Sequence, residues 1–340
     1  MYNASHEHLS KIREFIFLSV SAILCAALLA TFIQISGVNR NSRAGFREML
    51  YGTAYKPYVY RVLIPGIVRG ALFVIPTPLE DAVRDRINQN QTIQRWLITF
   101  NAPPDLVLEA LLVWIIMYFS LLGFCYSLRY LLSITGGIKS PFFIDLSTLF
   151  ALSPLFLFFG FGYIYDFTTL FLFTLALAWM AREKWLAYLS LFVLTCLNKE
   201  TAILLPLVFF THYKDQNRMP RSRFLTLLTM QGVIYALVKG WLFYKFQNNL
   251  GEPVEIHLIE YQMVLQKQPW VGIVSLFLLA VLLLLAFYNW KRKPLFLRHA
   301  LIMVLPLLAL IIPFGFPYEF RVFYETYPVF SLLVILNITR

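Results

Sequence analysis

The chain has 340 residues, of which 59% are hydrophobic and only 14% charged, against roughly 25% charged in an average soluble domain. Its net charge is +11, but the basic residues stand beside apolar runs, where they act as topology signals and anionic-lipid contacts, so a soluble nucleic-acid binder is excluded. One all-α, polytopic integral membrane domain over 1–340 is the class that remains.

The three cysteines, Cys25, Cys125 and Cys196, lie inside apolar runs, and the five histidines form no ligand pattern. A metal site has no sequence support, and dependence on a divalent metal stays open.

The first apolar run, 15–35, is longer than a signal-peptide core and predicts a membrane span; Lys11 and Arg13 before it place the N-terminus in the cytoplasm. A long first external loop, 38–104, follows. Within it YVYRVLIPGIVRGALFVIP (58–76) predicts an interfacial helix broken or kinked at Pro65, with Arg61 and Arg69 on roughly one face. A second amphipathic helix is expected over 79–97, its acidic start after Pro78 suiting a helix N-terminus; Glu80, Asp81, Arg84, Asp85 and Arg86 there fit either a solvated, locally ion-paired helix or a catalytic patch.

Spans are then expected over 106–132, 142–162 and 166–181, with Asp166 at the external mouth of the last. For 185–212 the basic residues decide the path. One spanning helix would put the loop carrying Lys214, Arg218, Arg221 and Arg223 outside, whereas two short arms, 185–197 and 201–212, keep that loop in the cytoplasm. A short-armed hairpin with Asn198, Lys199 and Glu200 at its tip is therefore expected, and arms reaching only about 20 Å leave the tip at membrane depth or in a wet cavity. Runs 224–246, 271–290, 297–313 and 329–338 are expected as further spans, in a bundle read as about nine spans plus the short-armed hairpin.

This topology collects Glu48, Tyr55, Tyr58, Tyr60, Arg61, Asp166, Lys199, Glu200, Glu319, Arg321 and Glu325 on the external side. Cations with a carboxylate beneath an amphipathic loop suit a lipid-linked phosphate: the cations hold phosphate and the carboxylate acts as general base. Each residue also has a plainer use. Glu48 fits a base or a partner of Arg43 or Arg47, and Asp166 fits a base or a helix cap before Thr168 and Thr169. Lys199 binds phosphate or snorkels, Arg61 binds phosphate or anchors an interfacial helix, and Arg321 closes the pocket or pairs locally with Glu319 and Glu325. Adjacent Lys199 and Glu200 would point about 100° apart on a helix.

YDFTTLFLFTLALAWM, opening at Asp166, followed by LNKETAILLP with Leu197, Lys199 and Pro206, resembles the paired signature of GT-C superfamily membrane glycosyltransferases, the group that includes protein O-mannosyltransferases and lipid A aminoarabinose transferases. The long first loop is similar as well. The resemblance implies a GT-C-like helical bundle that moves a sugar from a polyprenyl-phosphate donor to an acceptor on the non-cytoplasmic face of a cell-envelope membrane, with inversion. It implies Asp166 as a catalytic carboxylate and a role for Lys199; with Glu48 in place of the family's loop aspartate and Arg61, Glu200 and Arg321 from the external charges, the expected site is Glu48 and Asp166 for catalysis and Arg61, Lys199, Glu200 and Arg321 for substrate binding. The lipid-linked donor and membrane lipids are the expected partners; the acceptor is left open. One departure stands out. The family carries aspartate just past its first span, whereas 38–78 holds no Asp and only one carboxylate, Glu48. A transporter or flippase of a lipid-linked sugar, or an inactive GT-C-like partner protein, fits the same charges.

Overall fold

The computed structural model describes residues 2–35, 42–100, 102–138, 140–157, 162–214, 219–254, 269–314 and 320–337, with side chains from residue 10 onward. All regular structure among them is helical. The helices are α1 (Tyr2–Ile35), α2 (Phe46–Tyr51), α3 (Leu63–Val74), α4 (Thr77–Asn88), α5 (Gln91–Phe100), α6 (Val107–Thr135), α7 (Pro141–Phe150) and α8 (Asp166–Ala181). They continue with α9 (Trp185–Asn198), α10 (Leu204–Lys214), α11 (Arg221–Lys245), α12 (Pro269–Phe287), α13 (Leu295–Ala300), α14 (Val304–Phe314) and α15 (Tyr327–Ile335).

Among the described residues three helices are long and apolar enough to cross a membrane: Ser10–Ile35 within α1, α6 and α11. A fourth candidate is α3 with α4, bent by 111°. The expected nine spans are not found, because several apolar runs break early. The 142–162 run stops as α-helix at Phe150 and turns through Ser153–Leu157, and the 297–313 run is interrupted at Leu301–Met303. Helices α8, α9 and α10 hold 16, 14 and 11 residues, below the roughly 20 needed to span alone.

Two helices form the centre. α6 and α8 run in the same direction: Ser120 Oγ lies 3.0 Å from Thr168 Oγ1, and three residues further along each helix Gly123 faces Phe171. A Cβ built on Gly123 would stand 2.7 Å from the Phe171 ring, so only glycine permits this approach. Ser120 lies about 20 Å along α6 from Val107 at 1.5 Å per residue, so α8 begins close to the middle of its neighbour.

The hairpin is formed as expected. Trp185, opening α9, packs edge-on against Phe209 and Tyr213 near the end of α10, with centroids 5.5 and 5.1 Å apart, and Tyr213 OH donates to Met180 O at 2.8 Å. The two arms therefore return to the end of α8, and Lys199 and Glu200 lie at the other end, beside its start.

The first loop differs from expectation. Pro65 neither breaks nor kinks a helix: it stands in the first turn of α3, where its missing N–H removes no bond. Arg61 precedes α3 and is buried, so it shares no helix face with half-buried Arg69. The 79–97 segment is two helices, divided where Asn90 Oδ1 accepts from the N–H groups of Thr92 and Ile93. Of the solvated, ion-paired reading of α4 the ion pair is present, Glu80 to Arg84 at 2.7 Å, but both are half-buried and Arg84 also reaches buried Glu109 of α6 at 3.1 Å.

Candidate functional site

Four segments distant in sequence meet at the start of α8. Asp166 is the first residue of α8, not its cap: its Oδ2 accepts from the backbone N–H of Tyr163 at 2.9 Å, and Tyr165 holds the cap position. The cap alternative is thereby removed, and the following threonines have other uses. Thr168 meets Ser120, while Thr169 Oγ1 donates back to Tyr165 O and accepts from Asn198 Nδ2 at 2.9 Å. Asn198, last in α9, thus pins the hairpin tip to α8.

At the tip the backbone of Lys199 is extended, with φ −156° and ψ 148°. Successive side chains on extended backbone point to opposite sides, so Lys199 and Glu200 diverge far more than the 100° expected of a helix. Lys199 Nζ reaches Glu325 Oε1 at 2.6 Å, and Thr201 Oγ1 donates to the same oxygen at 2.5 Å. Glu200 takes Arg61 in a two-point pair, with Nη2 to Oε1 at 2.6 Å and Nε to Oε2 at 3.4 Å. Lys199 therefore does not snorkel, and Arg61 does not anchor an interfacial helix. The fourth segment supplies Arg321, whose Nη1 stands 3.6 Å from Asp166 Oδ1. Glu319, expected beside Arg321, lies outside the described residues.

The two arginines are seated on tyrosines. Tyr58 stacks on Tyr163 at 5.4 Å and Tyr163 on Tyr165 at 5.3 Å; the Arg61 guanidinium lies 4.4 Å from the Tyr165 ring centre and that of Arg321 lies 4.3 Å from Tyr163. Flat cations over ring faces gain quadrupole attraction and keep their N–H edges directed away from the ring. Tyr60 sits beside them, its phenol held above the ordinary tyrosine range by burial and by the Glu200 charge.

Asp166, Lys199, Arg321, Glu325 and Arg61 are all buried, and Glu325 is 0% exposed. Glu200 is the outward member, its side chain 36% exposed against 9% for Arg61. Buried Lys239 of α11 donates to Cys196 O at 2.8 Å, so among the described residues four cations (Arg61, Lys199, Lys239, Arg321) stand against three carboxylates (Asp166, Glu200, Glu325). Asp166 Oδ1 and Glu325 Oε2 accept no hydrogen bond among the described residues. Several buried cations with two carboxylate oxygens that accept no described hydrogen bond have the means to bind an anion and to receive a proton.

Five of the six expected site residues converge here: Asp166, Arg61, Lys199, Glu200 and Arg321. Glu48 does not. It lies in the first turn of α2, half-buried, where its backbone carbonyl accepts from Gly52, Thr53 and Ala54 and its charge acts on Arg47. Arg47 itself pairs with Asp105, and no described hydrogen bond or ion pair brings Glu48 to the cluster. Two contributors were not singled out from sequence: Tyr165, and Lys239, whose signal was a lysine inside an apolar 25-residue helix; Glu325 was collected on the external side as a local partner of Arg321, and its partner here is Lys199.

No family model, characterised protein or solved structure matches the chain.

Proposed function

We propose that this chain is an integral, multi-pass membrane glycosyltransferase of GT-C-like type, with its N-terminus in the cytoplasm and the charged cluster opening to the other side. The observation that carries this reading is the convergence of Arg61, Asp166, Lys199 and Arg321, from segments far apart in sequence, into one buried array. Ionised groups below a membrane surface are costly and are kept for function. The candidate spans and the hairpin returning to the end of α8 support the membrane placement, and the basic clusters Arg182–Lys184 and Lys291–Lys293 support the orientation.

In this mechanism Arg61, Lys199 and Arg321 hold the phosphate of a polyprenyl-phosphate sugar. The acceptor oxygen attacks the anomeric carbon as Asp166 takes the acceptor's proton. The bond from that carbon to the phosphate oxygen breaks, and polyprenyl phosphate leaves with the electron pair, stabilised by the three cations. Attack opposite the leaving phosphate inverts the anomeric centre. Glu48, away from the cluster, has no part in this scheme, so the base falls to Asp166.

The test is transfer or donor hydrolysis in detergent with a panel of polyprenyl-phosphate sugars. Asp166→Asn is expected to lower turnover about 10³-fold, within the range for a positioned general base, while Glu48→Gln stays close to wild type. Equal turnover in wild type and Asp166→Asn would remove the proposed base. A second reading, transport of a lipid-linked sugar, is favoured by one observation: the cations and carboxylates already pair with one another, as charges along a pathway do. Flux into vesicles without donor consumption would select it.

A further inference from the structure

Lys199 and Glu200 work as a pair only because the chain bends at Lys199, and the bend is held from outside the hairpin. Helix α9 ends at Asn198, leaving its last carbonyls without partners inside the helix. Lys239 Nζ donates to one of them, Cys196 O, at 2.8 Å, and Tyr235 OH donates to Glu200 O, beyond the bend, at 3.0 Å. Tyr235 and Lys239 are four residues apart on α11 and so share one face. The two bonds grip the backbone on either side of the extended residue. A cation is also favourable at a helix C-terminus.

The same helix holds the other half of the Arg61–Glu200 pair. Phe243 meets the Tyr60 ring at 4.9 Å; just past α11, Asn249 Nδ2 donates to Gly52 O and Ala54 O, both at 2.9 Å, and Leu250 O accepts from Lys56 N at 2.8 Å. Apart from Leu227, Gln231 and Leu242, which are buried as well, much of α11 faces outward, with Leu237, Trp241 and Tyr244 exposed. A buried lysine in such a helix is costly unless it is hydrogen-bonded, so its place at Cys196 O calls for a use.

We propose that Tyr235 and Lys239 are positioning residues: they clamp the Lys199–Glu200 tip so that Lys199 and Arg61 stand ready for a phosphate. The role in phosphate binding rests on the glycosyltransferase reading above; the clamp itself does not, and its test has an arm free of activity.

Full-length protein in detergent is compared as wild type, Tyr235→Phe, Lys239→Met and Lys239→Arg. The first arm is amide hydrogen exchange at Lys199 and Ala202, whose N–H groups bond Thr195 O and Lys199 O. Exchange there is expected to quicken about fivefold in Tyr235→Phe, as for one ordinary net hydrogen bond, and about tenfold in Lys239→Met, which loses a charge-assisted one. Amides of α6 stay unchanged, and Lys239→Arg restores the tip. Unchanged tip exchange, or an equal rise in α6, overturns the clamp. In the second arm, KM for the polyprenyl-phosphate sugar rises in both loss variants, kcat falls as well because Lys199 also stabilises the leaving phosphate, and Lys239→Arg recovers both. Faster tip exchange with KM unchanged overturns the positioning role. A wild type inactive with every donor sinks the glycosyltransferase reading instead, and leaves the exchange arm to decide the clamp.

Discussion

The protein carries two networks of paired charge, a half-buried one toward the end of α6 and a buried one at the start of α8, and they are built differently. At the end where α6 finishes, Arg129 spans Glu14 with two bonds of 2.7 Å and reaches Asp145 Oδ1 at 2.6 Å; Arg13 lies 3.0 Å from Glu14 and 3.2 Å from Asp145 Oδ2. Two cations meet two carboxylates, and every carboxylate oxygen has a cation within 3.2 Å. At the start of α8, four cations meet three carboxylates, and the nearest cation the cluster gives Asp166 Oδ1 is 3.6 Å away. Among the described residues the first network balances in charge and joins α1, α6 and α7, although Asp145 Oδ2 accepts no hydrogen bond. The other, with more cations than carboxylates among the described residues, is suited to an anion.

Charge-balanced substitutions sharpen this contrast most. Lys199→Met leaves the fully buried Glu325 uncompensated and is expected to cost about 3 kcal/mol of stability. Adding Glu325→Gln should recover most of that cost while transfer remains about 10²-fold down. Thermal unfolding and donor turnover, measured on both variants, check the pair; recovered transfer in the double variant would make the cluster structural like its counterpart.

At the other end Arg129→Met is expected to cost about 2 kcal/mol, less because the arginine and Glu14 are partly exposed. Turnover per folded molecule should not change. A loss of turnover matching that of Lys199→Met would erase the distinction between the two networks. Between them, Gly123→Ala drives a methyl against Phe171 on the α6–α8 seam and is expected to cost about 1–2 kcal/mol, read as a lower unfolding midpoint. The smallest effect belongs to Asp105, whose carboxyl lies below its ordinary range because Arg47 donates to it. Its contribution is present above the unfolded carboxyl value of about 3.9 and fades as pH falls through the lower folded value. Asp105→Asn should remove that acid-side slope, and added salt should shrink it in the wild type.

Much of the site was legible as chemistry and little of it as geometry. Asp166–Ala181 is the helix the sequence marks, and the charge rule led to the hairpin. Composition identifies which residues are costly to bury, and so found Asp166, Lys199 and Arg61. It does not say which residue of a bend is extended, and that single conformation at Lys199 sends two neighbouring charges to partners on different segments. Lys239 escaped because its use is a backbone carbonyl on another helix. Glu48 was favoured because it is the one carboxylate in 38–78, yet scarcity does not bring a side chain to a site. The span count overshot because apolar runs were taken as continuous, and broken runs such as 297–313 give short helices whose backbone is shielded by neighbours.

The brevity of α9 and α10 bears on the surroundings of the protein as well as on its site. They present Leu186, Leu194 and Phe210 outward, but at 14 and 11 residues they rise only about 21 and 16 Å. On the membrane reading, this flank is shorter than a hydrocarbon core of about 30 Å. Lipid there must thin to match it, which brings headgroups down toward the level of Glu200. A dimple in the bilayer, made by two short helices, would deliver a lipid-borne phosphate to its cations without lifting the lipid out.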